Sequence, residues 1–201
     1  FRRVLFRSTW SDLVAEWEFP GSAGGGQAGP PAFGTRPCAG GGVFLATARG
    51  PVLPEEAEHL GTTSAGGRVE SRWRLGAAGE SAEVTYRYRM HGKSLVIEVL
   101  APGGAVAEVR FGRALGLTKP RLVTNPYYPA EGGRPAVVVS DTVRAPLFLT
   151  GNVDWYVSNG SILWAANSVS GDGVAYHGGT RYIPRTDGGR NDCYERFIVT
   201  L

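Results

Sequence analysis

No apolar stretch in these 201 residues approaches the roughly 20 residues a helix needs to cross a bilayer. No stretch carries the 3.6-residue period of a long amphipathic helix either. A membrane partner is therefore not expected, nor is a helical or βαβ architecture. Charge is scarce: 19% of residues are charged against 42% apolar, too little charge for a disordered chain and enough apolar sequence to bury a core. Cysteine is limited to Cys38 and Cys193, too few for a disulfide framework, and two free thiols are expected rather than a bridge. The three histidines, His59, His91 and His177, stand at no metal-binding spacing, so no metal is expected. Gly24-Gly25-Gly26 lacks the Lys-Ser/Thr and the following helix of a phosphate loop, and no cofactor motif stands elsewhere. Ser140-Asp141 and Asn159-Gly160-Ser161 form no nucleophile elbow. The second of these also matches a glycosylation acceptor, which a simple turn explains.

The formal net charge is +3. Three arginines, Arg2, Arg3 and Arg7, lie in residues 1–8, where Leu5-Phe6-Arg7-Ser8 reads like a translated sequencing adaptor. Setting that segment aside removes the whole excess, and no basic run remains to suggest a nucleic-acid partner. The chain opens on Phe1 and closes on Ile198-Val199-Thr200-Leu201 within a strand-like run. The expectation is an assembled metagenomic fragment: a non-native segment at 1–8, then one domain over 9–201 truncated at both ends. The apolar run of a signal peptide does not follow the basic start.

What is present is period-two patterning. Val84, Tyr86, Tyr88 and Met90 alternate with Glu83, Thr85, Arg87 and Arg89, and Leu95, Ile97 and Val99 alternate after Gly92. A Gly92-Lys93 loop sets Met90 opposite Leu95, Tyr88 opposite Ile97, Tyr86 opposite Val99 and Arg87 opposite Glu98. A His91-Gly92 loop keeps the faces and shifts the pairs. Ala107, Val109 and Phe111 then read as the third strand of a meander. Ala136-Val137-Val138-Val139 and Pro146-Leu147-Phe148-Leu149 read as strands covered on both faces. Strands are also expected at Leu13–Phe19, Val43–Ala46, Arg181–Ile183 and Arg196–Val199, with a Gly/Pro-rich loop over 20–42. Pro54–Gly61 reads as one short helical turn: proline and acids at its start, glycine at its end. The fold class is all-β, a large antiparallel β-sandwich with at most one short helix.

Residues 151–195 concentrate aromatic, amide, carboxylate and guanidinium groups among glycines. Saccharides are held by aromatic faces stacked on their C–H surfaces and by polar groups on their hydroxyls, and loops at a sandwich end suit that task. The candidate carbohydrate-binding residues are Asp154, Trp155, Tyr156, Trp164, Arg181, Tyr182, Asp187, Arg190 and Asn191. The competing roles are also definite: Trp155 and Trp164 would plug the core, and Asp187 would pair with Arg190 to hold a turn. Asp187, Asn191, Asp192 and Glu195 lack the EF-hand spacing of a calcium loop. Asp154 and Asp187 are candidates for the two carboxyls of a glycosidase, although sequence does not bring them together.

Two stretches carry a family resemblance. Tyr86 to Val99, followed by Val106-Ala107-Glu108-Val109-Arg110-Phe111-Gly112, resembles the galactose-mutarotase-like supersandwich that precedes the catalytic barrel in several glycoside hydrolase families. Gly178-Gly179-Thr180-Arg181-Tyr182-Ile183-Pro184, with Thr186-Asp187-Gly188, Arg190-Asn191 and Glu195-Arg196, resembles the end of such a domain in large bacterial proteins. The resemblance implies a non-catalytic sandwich and a catalytic barrel of the same parent chain beyond Leu201. It also implies a secreted or periplasmic home. It assigns no catalytic residue here, since His59, His91 and His177 do not match the histidine acid of a true mutarotase. A stand-alone carbohydrate-binding or aldose-epimerase-like domain, and an interaction sandwich without sugar binding, are the alternatives.

Overall fold

The computed structural model describes residues 4–5, 16–17, 36–39, 41–124, 136–141, 146–164, 168–170, 173–175 and 178–200. Its strands are β1 (Val4–Leu5), β2 (Glu16–Trp17), β3 (Arg36–Ala39), β4 (Gly42–Thr47), β5 (Gly50–Val52) and β6 (Glu56–Ala65). Then come β7 (Arg68–Ala77), β8 (Glu80–His91), β9 (Ser94–Ala101), β10 (Val106–Arg110), β11 (Arg113–Leu115), β12 (Arg121–Thr124) and β13 (Ala136–Ser140). The last are β14 (Leu147–Val153), β15 (Ile162–Trp164), β16 (Ser168–Ser170), β17 (Gly173–Ala175), β18 (Gly179–Arg181) and β19 (Cys193–Thr200). No helix occurs among the described residues.

Two antiparallel sheets dominate. The larger has eight strands in the order β12-β13-β14-β19-β9-β8-β7-β6; the other has five, β15-β18-β10-β4-β5. A four-stranded sheet, β16-β17-β11-β3, and the β1-β2 pair complete the strands. The core lies between the two large sheets. Leu75, Val84, Tyr86, Tyr88, Leu95, Ile97, Phe197 and Val199 face inward from the larger and meet Val43, Leu45, Val106 and Val109 from the smaller. Phe111 stacks on Phe197 with ring centroids 4.6 Å apart. Each such aliphatic side chain contributes roughly 1.5–3 kcal/mol of transfer free energy on full burial, so the alternating faces dictate which side of each strand turns inward.

The β8–β9 hairpin has the Gly92-Lys93 loop, and its register pairs Met90 with Leu95, Tyr88 with Ile97, Tyr86 with Val99 and Arg87 with Glu98. Gly92 supplies the positive φ, 58°, that a two-residue hairpin turn needs at its first position.

Several expectations are corrected. Residues 54–61 are not a helical turn: β6 pairs with β7 along its length, with a bulge between His59 and Gly61. Capping preferences of a few tenths of a kcal/mol to about 1 kcal/mol lose to so long a ladder. The bulge also kinks this sheet-edge strand, a common protection against edge-to-edge pairing. Val106–Arg110 is a strand but not the third of a meander. Both edges of β9 are already taken by β8 and β19, and Gly103-Gly104, at φ 83° and 66°, turns the chain into the other sheet. There β10 pairs with β4 and β18. Phe148 is exposed rather than covered on both faces, while its neighbour Leu149 is buried. β3 occupies the end of the stretch expected to be a loop over 20–42; residues 20–35 lie outside the described residues. Of the Leu13–Phe19 strand, β2 is the described part.

Candidate functional site

One end of the sandwich is closed by two loops, 154–161 after β14 and 182–192 after β18. The first opens on a turn in which the Val157 amide donates to the Asp154 carbonyl. That turn leaves Trp155 45% exposed and Tyr156 entirely so. Trp155 therefore does not plug the core. Farther along the same loop the Asn159 amide donates to the Tyr194 carbonyl at 3.1 Å. Its side chain donates to the Asp192 carbonyl at 3.2 Å, and Asn191 Nδ2 donates to the Asn159 carbonyl at 3.1 Å. The two loops are thus cross-braced. Between them lies an open depression lined by Gly103, Asn159, Arg185, Gly189, Arg190, Asn191 and Asp192.

The second loop is held by its own charges. Arg185 contacts Asp187 at 3.2 Å, and the Gly189 amide donates to Asp187 Oδ1 at 2.9 Å. That amide first, and Arg185 after it, hold the Asp187 carboxyl below its ordinary range. The partner of Asp187 is thus Arg185, not Arg190. Arg190 Nε donates instead to the Tyr182 carbonyl at 3.1 Å, which leaves its Nη nitrogens without a partner among the described residues. Asp192 Oδ1 accepts from the Gly103 amide at 2.8 Å and ties the β9–β10 turn to the loop.

Beneath the depression sits a carboxyl that period-two patterning does not announce. Glu195 lies on the inward face of β19, opposite Val99, and is fully buried. Its Oε1 accepts from the Tyr182 hydroxyl at 2.5 Å and from Ser158 Oγ at 3.0 Å. Ser158 Oγ in turn accepts from the Gly160 amide at 3.0 Å. Glu195 Oε2 and Thr180 Oγ1 make no hydrogen bond among the described residues. Burial is the largest influence on this group and pushes its pKa upward, against the opposing pull of the Tyr182, Ser158 and Thr180 hydroxyls. The pull of Thr180 acts across a gap rather than a closed bond, since both atoms remain unpartnered. Burial, then the neighbouring Cys193 and Glu195, likewise push the Tyr182 hydroxyl upward. Cys193 is a free, buried thiol, raised by burial above all.

The remaining candidates make other contacts. Asp154 faces outward from the eight-stranded sheet, 3.1 Å from Arg196, which also contacts Glu98 at 2.9 Å. Burial opposes the charge on Glu98, but hydrogen bonds from Tyr194 and Arg196, with the Arg196 charge, outweigh it and lower the pKa. Arg181 and Trp164 share the outer face of the five-stranded sheet, with the guanidinium carbon 5.5 Å from the indole. Tyr182 is core. Of the nine candidates, Arg190 and Asn191 line the depression. Trp155, Tyr156 and Asp187 stand on the same two loops outside its lining, Asp154 and Tyr182 open those loops but turn to Arg196 and to the core, and Trp164 and Arg181 lie on the five-stranded sheet.

Among the described residues one carboxyl, that of Asp192, lines the depression. Asp154 and Asp187 are each held by their own arginine, on separate elements. The would-be calcium ligands also diverge, since Asp187 turns to Arg185, Asp192 to Gly103 and Glu195 into the core. No cluster of three acidic, histidine or cysteine side chains suited to a metal occurs among the described residues. Sequence reasoning missed Asn159 and Arg185 as lining residues, and Glu195 and Ser158 as the support beneath them. The one signal for Arg185 was its place two residues before Asp187 in a Gly-rich turn. Comparison with known protein families, curated proteins and solved structures finds no match to this chain. What the fold defines is an all-β protein built on two large antiparallel sheets.

Proposed function

We propose that this sandwich is a non-catalytic carbohydrate-contacting domain of a glycoside hydrolase-like protein, meeting sugar through its two end loops. The observation that carries the reading is the exposure of Trp155 and Tyr156 on the same loop that sends Asn159 into the depression. Large aromatic rings left in water beside amide, guanidinium and carboxylate groups suit the two faces of a sugar: C–H surface for stacking, hydroxyls for hydrogen bonding. The burial of Glu195 and the ion pairing of Asp154 and Asp187 fit a domain that holds rather than cleaves.

A second element of the reading is a partner domain. Val123 and Phe148, each 56% exposed, lie on the outer face of the eight-stranded sheet, where Val137 is also only partly buried. Apolar surface of this kind suits packing against another domain of the same parent chain, in keeping with a catalytic barrel encoded beyond Leu201.

Calorimetric titration with a panel of neutral oligosaccharides tests the sugar contact. The expected result is binding that weakens at least about tenfold in Trp155→Ala and in Tyr156→Ala, with the unfolding midpoint nearly unchanged because both rings are exposed. Equal affinity of both variants and the wild type would refute the placement of the site. Binding by none of the panel would favour an interaction sandwich.

A further inference from the structure

The pairing of β18, β10 and β4 sets Arg181 opposite Glu108 and Glu108 opposite Phe44. Arg110 and Trp164 both stand opposite Gly179. These side chains share the outward face, since Val109 and Thr180, which alternate with them, are fully buried on the other. On that face Glu108 is only 1% exposed. It is covered by two guanidiniums whose side chains remain about half in water, Arg110 at 42% and Arg181 at 53%. Arg110 reaches the carboxylate through Nε at 2.7 Å and Arg181 through Nε at 3.5 Å. Arg110 also lies 3.8 Å over the Phe44 ring, and Arg181 flanks Trp164. Arg110 is thus held by a hydrogen bond to Glu108 and by the Phe44 ring, and Arg181 stands at ion-pair distance from Glu108 and near the Trp164 ring, while the Nη nitrogens of both have no partner among the described residues.

A buried carboxylate is a poor way to stabilise a sheet face, because apolar side chains in its place usually do as well or better. It is a good way to fix two arginines with their outer edges presented. Ordering done on folding need not be repeated on binding, and the planar guanidinium edge matches a carboxylate. Two guanidiniums and one carboxylate leave a single positive charge, which suits a monoanion better than a dianionic phosphate. Beside them the Trp164 indole offers a surface for a ring.

We propose that Arg110 and Arg181 form a carboxylate-binding site on the outer face of the five-stranded sheet, and that its ligand is an acidic, uronate-type saccharide. The saccharide half of this inference rests on the carbohydrate reading above; the carboxylate half stands without it.

NMR titration with glucuronate, glucose and acetate tests both halves, following the arginine Nε–H signals and the amides of residues 108–110 and 179–181. Glucuronate is expected to shift these signals with an affinity at least about tenfold above that of glucose, and above that of acetate. Arg181→Gln should weaken glucuronate binding at least about tenfold, the scale of one lost charge-assisted contact. Arg181→Lys, which retains the charge beside Glu108 should the glutamine variant fail to fold, should weaken it several-fold through loss of the planar edge. Glucuronate binding no tighter than glucose, or unchanged in Arg181→Lys, would overturn the site. Acetate matching glucuronate would overturn the saccharide half alone. Retention of glucuronate binding in Trp155→Ala separates this site from the end loops, so either can fail without the other.

Discussion

Glu195 is the residue on which the candidate end-loop site stands. It joins Tyr182 of one loop and Ser158 of the other to β19, yet one of its oxygens finds no donor. Because burial raises its pKa in the folded state, the native protein binds a proton that the unfolded chain has already released. Stability contributed by this group is therefore full below the ordinary carboxylate pKa and declines as pH rises toward the raised value. Glu195→Gln keeps the shape without the ionisation. It is expected to remove this part of the pH dependence and to stabilise the protein at pH 8 by about 1–3 kcal/mol, the usual cost of an unsatisfied buried polar group. Urea unfolding of both proteins at pH 5 and pH 8 checks this; parallel declines with pH would assign the dependence to other groups. Sequence alone could not single out Glu195. Glu195 and Arg196 read as neighbouring charges, and which of them faces inward depends on the register of β19 against β9, a pairing of strands distant in the chain. Trp155 shows the converse, since a large aromatic ordinarily reads as core and only the turn at Asp154–Val157 puts it in water.

At the scale of elements, what was legible was local. The β8–β9 hairpin and its inward face followed from alternation and one glycine, because the pattern lies close to the turn; the alternation left two loops open, and the Gly92-Lys93 loop that forms sets the individual pairs. β10 was legible as a strand but not in its neighbours, because Gly103-Gly104 changes sheets without changing the alternation. Residues 54–61 misled because local capping signals were weighed without the partner strand β7. The turn between β7 and β8 offers a test of the same local physics. Ala78 and Gly79 join Ala77 to Glu80 with φ of 51° and 86°, and an alanine in the left-handed region carries about 1–2 kcal/mol of strain. Asparagine is tolerated there and favoured before glycine in such turns. Ala78→Asn is therefore expected to stabilise the protein by about 0.5–1 kcal/mol in chemical unfolding. A destabilised variant would contradict the turn geometry.

Across the whole molecule, the two large sheets form the scaffold and the chemistry sits on what they leave outside: loops at one end, an arginine pair on one outer face and an apolar strip on the other. The class of fold could be read from the sequence because period-two faces demand stacked sheets. The grouping of functional side chains could not, because it depends on which strands become neighbours. We propose that sugar meets the scaffold at the loops 154–161 and 182–192. Hydrogen-exchange mass spectrometry, with and without the tightest-binding neutral oligosaccharide of the panel, tests it most directly. Slowed exchange confined to those two segments and the β9–β10 turn is the expected result; slowed exchange elsewhere, with these loops unchanged, would contradict it.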